Sequence, residues 1–349
     1  MGGWANGGSR GELVPRGAET IGPALDLPPE VANLLLEAGE SLTRRLSRRT
    51  RIEYDKALRH YYRWAEGIGI TSPFPLSLAV VLAYVQGQRP ALEARTLTLS
   101  TVRLRLAAMA HEQARLGEAP VTAAPEVVGL LRVLRREVGR AVQPKDPLLL
   151  DQLNGLGALW ADRELTNRQS QGRAVILLGF ALAVRRSNLV ALNVSDLRFE
   201  ERGVVAFLVR SKTDQEARGT ELAAERVGGP LCPVAAVEDW VRRLPLDADG
   251  PLFRGVGSGD VVGTERLSER AVARIVKRAA AATGCDETRF AAHSLRSGYA
   301  TEAALAGWDA ATIAFQTQHA SLDALRKYIR RANLYQHNAG GQLLRRAEG

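Results

Sequence analysis

Cysteine is nearly absent from this chain: Cys232 and Cys285 are its only two in 349 residues. So small a number, far apart in sequence, excludes a disulfide framework and a four-cysteine zinc site, and points to a reducing compartment, the cytoplasm. Long apolar runs are missing as well. The longest, Ala174 to Val184, is shorter than the roughly 18–20 residues that a membrane span requires. The first 28 residues are rich in glycine and lack the apolar stretch of a secretory signal, so 1–28 reads as a flexible tail. Several enzyme signatures are also lacking. There is no GxxxxGK[ST] phosphate loop, no HExxH zinc helix and no glycine-rich dinucleotide fingerprint, which removes ATP-driven, zincin and dinucleotide chemistry. Asp247-Ala248-Asp249-Gly250 resembles the start of a calcium loop, but the later ligands are missing and a surface turn is expected there.

Positive charge is present in excess. Lysine and arginine number 47 against 38 acidic residues, a formal net charge of +9, while 46% hydrophobic content leaves enough apolar residues for real cores. The excess is clustered. Between Ser41 and Arg63 stand eight basic residues (Arg44, Arg45, Arg48, Arg49, Arg51, Lys56, Arg59 and Arg63) and two acidic ones. From Arg326 to the end, six basic residues face Glu348 alone. Such stripes gain affinity for duplex DNA by releasing its condensed counterions, so nucleic acid is the natural partner. Among candidate contacts we include Arg44, Arg45, Arg48, Arg49, Arg51, Arg103 and Arg105.

Two regimes of pattern divide the chain. Residues 29–140 show helical periodicity and no good strand: one helix after Ser47 carries Tyr54, Leu58, Tyr61 and Trp64, a second spans Leu76 to Gln86, a third begins near Ser100, and a fourth runs from Glu126 to Gly139. Residues 141–147, with mixed charge and two prolines, read as a linker, and 148–349 as a second domain with a C-terminal tail. There, Gln171–Val184 reads as a buried helix, Gly203–Arg210 as a strand, and the polar turn Thr213–Gly219 as a hairpin leading to a second strand. Helices are predicted over Cys232–Arg243, Ser268–Thr283, His293–Ala306 and Ser321–Asn333.

Candidate chemistry lies in this second half. His293 and Arg296, three residues apart, share one face at a helix start and can reach the same group. Arg185 lies between two apolar segments, where a charge is costly unless paired or bound to an anion; Arg186 competes with it, and the pattern alone does not choose. Lys212 ends the predicted strand, and lysines commonly guard sheet edges. His319 precedes Tyr328 by nine residues, and Tyr328 borders the apolar stripe of Leu322, Leu325, Ile329 and Ala332. Each feature alone is commonplace.

Their order, Arg, Lys, His-x-x-Arg, His, Tyr, resembles the tyrosine recombinase family, the phage-integrase class. AVRRSNLVALNVSDL is similar to its first arginine box and favours Arg185 over Arg186; AAHSLRSGYATEAALAG is similar to the second box; QHASLDALRKY supplies His319 and Tyr328. The first half is similar to the family's helical core-binding domain. One departure stands out, because the family usually has an acidic residue where this chain has Asn188; an amide can still hold Arg185 by a hydrogen bond.

The resemblance implies a mainly helical fold with a small antiparallel sheet in the C-terminal domain, in two domains that close as a C-shaped clamp on duplex DNA. It implies a site-specific recombinase in which Tyr328 forms a 3′-phosphotyrosine, Arg185 and Arg296 hold the phosphate, Lys212 protonates the leaving oxygen, His293 accepts the tyrosine proton, and His319 donates to a nonbridging oxygen. No cofactor or metal is expected. The implied partners are an inverted-repeat DNA site and three further copies of the chain, a homotetramer on two sites, and the implied location is the nucleoid. A type IB topoisomerase-like strand relaxation and a noncatalytic DNA-binding protein are the alternatives.

Overall fold

Ser47 begins the first described helix, α1 (Arg48–Gly67), because its side chain accepts a hydrogen bond from the Thr50 N–H that the helix itself leaves unpaired. The computed structural model describes residues 46–139, 144–208, 219–245 and 249–318, and beyond these Leu325, Arg326, Tyr328, Leu344 and Arg346. It divides into two units, Met1–Val142 and Gln143–Gly349. The 1–28 tail, most of the expected Ser321–Asn333 helix and nearly all of the segment after it lie outside the described residues.

The first unit is helical. Next to α1 come α2 (Leu78–Gln86), a short α3 (Arg89–Glu93), α4 (Leu99–Arg115) and α5 (Pro125–Glu137). Ser77 and Thr98 cap α2 and α4 through their side chains, so both helices start at slightly different positions from those the periodicity predicts. The short α3 has no counterpart in the sequence reading, since Gly87 and Pro90 look like breakers; here the proline occupies the first turn, where its missing N–H costs nothing. Tyr61, Val81, Tyr84, Val102, Met109 and Leu134 form the centre of the core. Its rings meet edge to face, with Tyr61 5.3 Å from Tyr84 and 5.6 Å from Phe74, the offset geometry that ring quadrupoles favour. Gln113, buried on α4, accepts from the Leu76 N–H at 2.7 Å and donates to the Ala119 carbonyl at 3.2 Å, tying together the loops before α2 and after α4.

In the second unit, α6 (Leu150–Trp160) precedes a central helix, α7 (Asn167–Ala181), opened by a capping box of Thr166 and Gln169. Ala174 to Leu178 are all buried, so this stretch of the helix is covered on every side. After α8 (Arg186–Ala191) come β1 (Leu197–Phe199), β2 (Gly203–Leu208) and β3 (Thr220–Glu225), an antiparallel sheet in the order β1-β2-β3. Val204, Ala206 and Leu208 alternate inward with Leu222 and Ala224 opposite. The chain continues through α9 (Pro233–Arg242), a two-stranded sheet of β4 (Arg254–Val256) and β5 (Val262–Arg266), α10 (Glu269–Ala282), α11 (His293–Leu305) and α12 (Ala310–Thr317). The helices α9, α10 and α11 pack around α7. Mostly helical with small antiparallel sheets, this matches the fold class expected, although β1, β4, β5, α6, α8 and α12 are additions to the sequence reading. Two of these strands have only three residues and carry no clear alternation. No helix among the described residues is long and apolar enough to cross a membrane.

The chain entering this unit is pinned along α11 and its approach. Asp146 N–H donates to the Arg289 carbonyl at 2.7 Å, Leu148 N–H to the Ser294 carbonyl at 2.9 Å, and Leu150 N–H to the Glu302 carboxylate at 2.8 Å. Gly298 permits this: a Cβ there would collide with the Leu148 backbone carbonyl. Replacing Gly298 by alanine is expected to destabilise the fold by about 1–3 kcal/mol in urea unfolding, because a backbone cannot rotate out of the way as a side chain does. In the first unit, Gln113→Leu keeps the volume and strands the Leu76 N–H; a loss of about 1–3 kcal/mol in the same measurement is the expected result.

Candidate active site

The main chain leaves α7 through Ala183, whose φ of 50° is left-handed and uncommon without glycine. That turn aims the Ala183 carbonyl at Arg296, which donates Nη1–H to it at 3.0 Å. Gln318 ends α12 in the same conformation, φ 51°. Its carbonyl accepts from Arg185 Nη2 at 3.4 Å, while Gln316 Nε2 donates to the Ala181 carbonyl at 2.8 Å and draws the two turns together. Each guanidinium is therefore braced from behind by one backbone oxygen.

One further nitrogen of each guanidinium is unmet. Arg185 Nη1 and Arg296 Nη2 are buried with no hydrogen-bond partner, and Arg296 is only 2% exposed. Buried charged N–H groups are costly unless an acceptor completes them, and oxygens of an anion complete guanidiniums well. Neither arginine forms an ion pair among the described residues. The neighbouring Arg186, by contrast, is bound to Glu269 at 2.8 Å. The two candidates are thus separated by their partners: one is committed to a carboxylate and the other faces the site. Asn188 corrects an expectation. It is buried, its Oδ1 accepts from Ser187 Oγ at 3.4 Å, and its Nδ2 has no partner, so its side chain does not hold Arg185.

His293 starts α11 and Arg296 follows one turn later, so both project from one end of the helix. Tyr328 meets them there, its hydroxyl 2.7 Å from His293 Nε2. Its ring lies half-buried against Ala300, Ala303, Ala304, Ile313 and Leu325. The surroundings bias the protons. Desolvation, then the guanidiniums of Arg296 and Arg185, hold His293 below the ordinary imidazole value of 6.5, although one edge of the residue stays exposed. Burial raises the Tyr328 phenol and Arg296 opposes that rise. Burial and the charge of Arg185 lower Arg296 to about 10, against the pull of Tyr328, which leaves it cationic near neutrality. Burial also lowers Arg185.

Of the six residues singled out in the sequence for chemistry, Arg185, His293, Arg296 and Tyr328 come together. Lys212 and His319 lie outside the described residues. Of the basic residues, Arg44, Arg45 and the side chain of Arg48 lie outside them too, while Arg49, Arg51 and Arg103 are exposed on the first unit. Arg105 differs from these. It is half-buried and donates to Gln88 Oε1 at 2.7 Å, which turns it into the helical packing. No group of three or more His, Cys, Asp or Glu among the described residues is arranged to hold a metal ion. Sequence reasoning missed the two left-handed turns, and the only signal for them was a position at a helix end where the pattern offers no glycine.

The family model described as Phage integrase family matches residues 158–334. An integrase/recombinase xerD homologue of Selenomonas ruminantium is 31% identical over 322 residues, covering 88% of this chain and 92% of that protein. Solved structures share the fold. XerH site-specific recombinase bound to a palindromic difH substrate, in a post-cleavage complex, has a TM-score of 0.60 at 14% identity over 82% of this chain and 78% of that one. The Tn1549 transposon integrase in complex with transposon right end DNA has a TM-score of 0.56 at 14% identity over 86% and 98%. A lambda integrase dimer bound to a COC' core site has 0.53 at 15% over 85% and 94%. With the family model spanning half the sequence and a relative of this identity spanning nearly all of it, the chain belongs to the phage integrase family and is a site-specific recombinase of the tyrosine type.

Proposed function

We propose that this recombinase cuts and rejoins duplex DNA through a 3′-phosphotyrosine on Tyr328, without metal or ATP. The observation that carries the reading is the meeting of the Tyr328 hydroxyl with His293 Nε2 at 2.7 Å beside two buried, incompletely bonded guanidiniums. A phosphodiester needs a nucleophile, a base for it and positive charge on the nonbridging oxygens, and these four side chains are of the types required.

In the proposed step, the Tyr328 oxygen attacks phosphorus in line and its proton passes to His293 Nε2. The new O–P bond forms as the bond to the 5′ oxygen breaks, and that oxygen leaves as a hydroxyl with a proton from Lys212. Arg185 and Arg296 bind the nonbridging oxygens with forked donors that stay cationic throughout, and His319 donates to one of them. A lowered His293 pKa suits the base, since the ring is then neutral and able to accept. Rejoining is the reverse, with the 5′-hydroxyl of a partner strand as nucleophile. The ester conserves the bond energy, so no nucleotide cofactor enters the balance.

The same proposal extends to the partners. The helical unit acts as a core-binding domain and the second unit as the catalytic one, with Arg49, Arg51 and Arg103 on phosphates, where contacts fix register without reading sequence. Four copies assemble on two inverted-repeat sites. The relatives seen with DNA, XerH, the Tn1549 integrase and the lambda integrase, support a DNA substrate.

A nicked suicide duplex tests the chemistry. Wild-type protein should leave a denaturation-resistant covalent adduct that survives EDTA, and Tyr328→Phe should leave none; an adduct that persists in the variant, or requires a divalent ion, defeats the mechanism. Two sites on one plasmid should give recombinant products, whereas relaxation of supercoils with no recombinants would assign the topoisomerase alternative. The pH dependence of single-turnover adduct formation follows from His293. Because its pKa is lowered, the ring stays neutral down to below pH 6.5 and the rate should fall only under that value as the imidazole gains its proton; His293→Gln should be slow throughout and lack this acid limb.

A further inference from the structure

The turn that ends α12 contains a side chain to which no task has been assigned. Gln318 adopts φ 51°, ψ 47°, a region glycine enters freely and other residues rarely do. Its carbonyl braces Arg185, but any residue supplies a carbonyl, glycine included. The side chain therefore needs its own account. Gln318 Nε2 is buried without a hydrogen-bond partner.

Among the described residues five buried side-chain atoms lack partners: Arg185 Nη1, Asn188 Nδ2, Arg296 Nη2, Thr301 Oγ1 and Gln318 Nε2. The four nitrogens belong to segments bonded to one another. Arg296 holds the Ala183 carbonyl, Arg185 holds the Gln318 carbonyl, Gln316 holds the Ala181 carbonyl, and the Asn188 backbone N–H bonds the Arg185 carbonyl at 2.9 Å. All four are donors and none has an acceptor. Buried polar groups are rarely left so, and a cluster of one sign of hydrogen-bonding capacity is complementary to an oxyanion.

We propose that the Gln318 carboxamide is a further phosphate-binding group, donating Nε2–H to an oxygen of the DNA phosphodiester beside Arg185 and Arg296. This rests on the reading that those two arginines bind the phosphate. A neutral donor adds direction without adding a third cation to a crowded pair. The left-handed backbone is then retained because it presents the carbonyl backward to Arg185 and the carboxamide forward to the ligand.

Inorganic phosphate is the probe, titrated against the full-length protein by thermal unfolding with chloride at matched ionic strength as reference; a ligand that binds only the folded state raises the melting temperature. Gln318→Gly should weaken phosphate binding about tenfold, the worth of one hydrogen bond to a charged group, while its melting temperature without phosphate equals or exceeds that of wild type. Gln318→Glu should lose binding, because a carboxylate repels the anion. Unchanged affinity in Gln318→Gly, with binding lost in Arg185→Gln, overturns the role of Gln318 and leaves the arginine site standing. Retained affinity in Gln318→Glu also overturns it, because the side-chain oxygen would then be bracing Arg185. Should Gln318→Gly fail to fold, the Glu variant decides alone. If wild type gains no more from phosphate than from chloride, or Arg185→Gln keeps the gain, the anion site itself falls and this inference falls with it.

Discussion

Two guanidiniums, each tied by one nitrogen to a backbone carbonyl and left with another nitrogen unmet, set the terms for everything around them. Bringing like charges together in a partly buried site is unfavourable, and the lowered pKa values of Arg296 and His293 register that repulsion as well as burial. The fold sustains it with oxygens that carry partial charge only. The carbonyls of Ala183 and Gln318 orient the arginines without neutralising them, whereas a carboxylate such as Glu269, which pairs with Arg186, would compete with a phosphate for the same donors. Keeping an unneutralised arginine thus depends on turns whose backbone conformation is itself uncommon.

The apolar architecture serves the same end. The helix Asn167–Ala181, fully buried from Ala174 to Gly179, leads into the turn at Ala183, and the helix His293–Leu305 packs on it. Gly179 allows that approach, since a Cβ there would meet Leu295 and Leu189. Tyr328 is presented from a separate cluster around Ala300, Ala304 and Ile313. Its hydroxyl reaches His293 while its ring remains in apolar surroundings, so one residue is both packed and available for chemistry.

Much of this was legible before any coordinates. Helical periodicity located Arg48–Gly67, Pro125–Glu137 and Glu269–Ala282 to within a few residues, because each has an apolar face and a recognisable start. The spacing of His293 and Arg296 placed both at one helix start. What the pattern did not carry was tertiary. Whether Arg185 or Arg186 faces the site depends on Glu269, more than eighty positions away. Likewise Arg105 reads as one more exposed basic residue until Gln88 is seen to accept its hydrogen bond. The side chain of Asn188 looked able to hold Arg185, but the one hydrogen bond its oxygen accepts among the described residues comes from Ser187. The left-handed turns at Ala183 and Gln318 escaped notice because neither position is glycine.

The strand of chain that enters the second unit lies against the helix bearing His293 and Arg296, bonded at Asp146, Leu148 and Leu150 and seated over Gly298. Residues 144–150 are therefore built into the second unit and are not a free tether. The helix that mounts His293 and Arg296 is thus held in place by the very segment that opens its unit, and an alteration at the Gly298 seat would reach both.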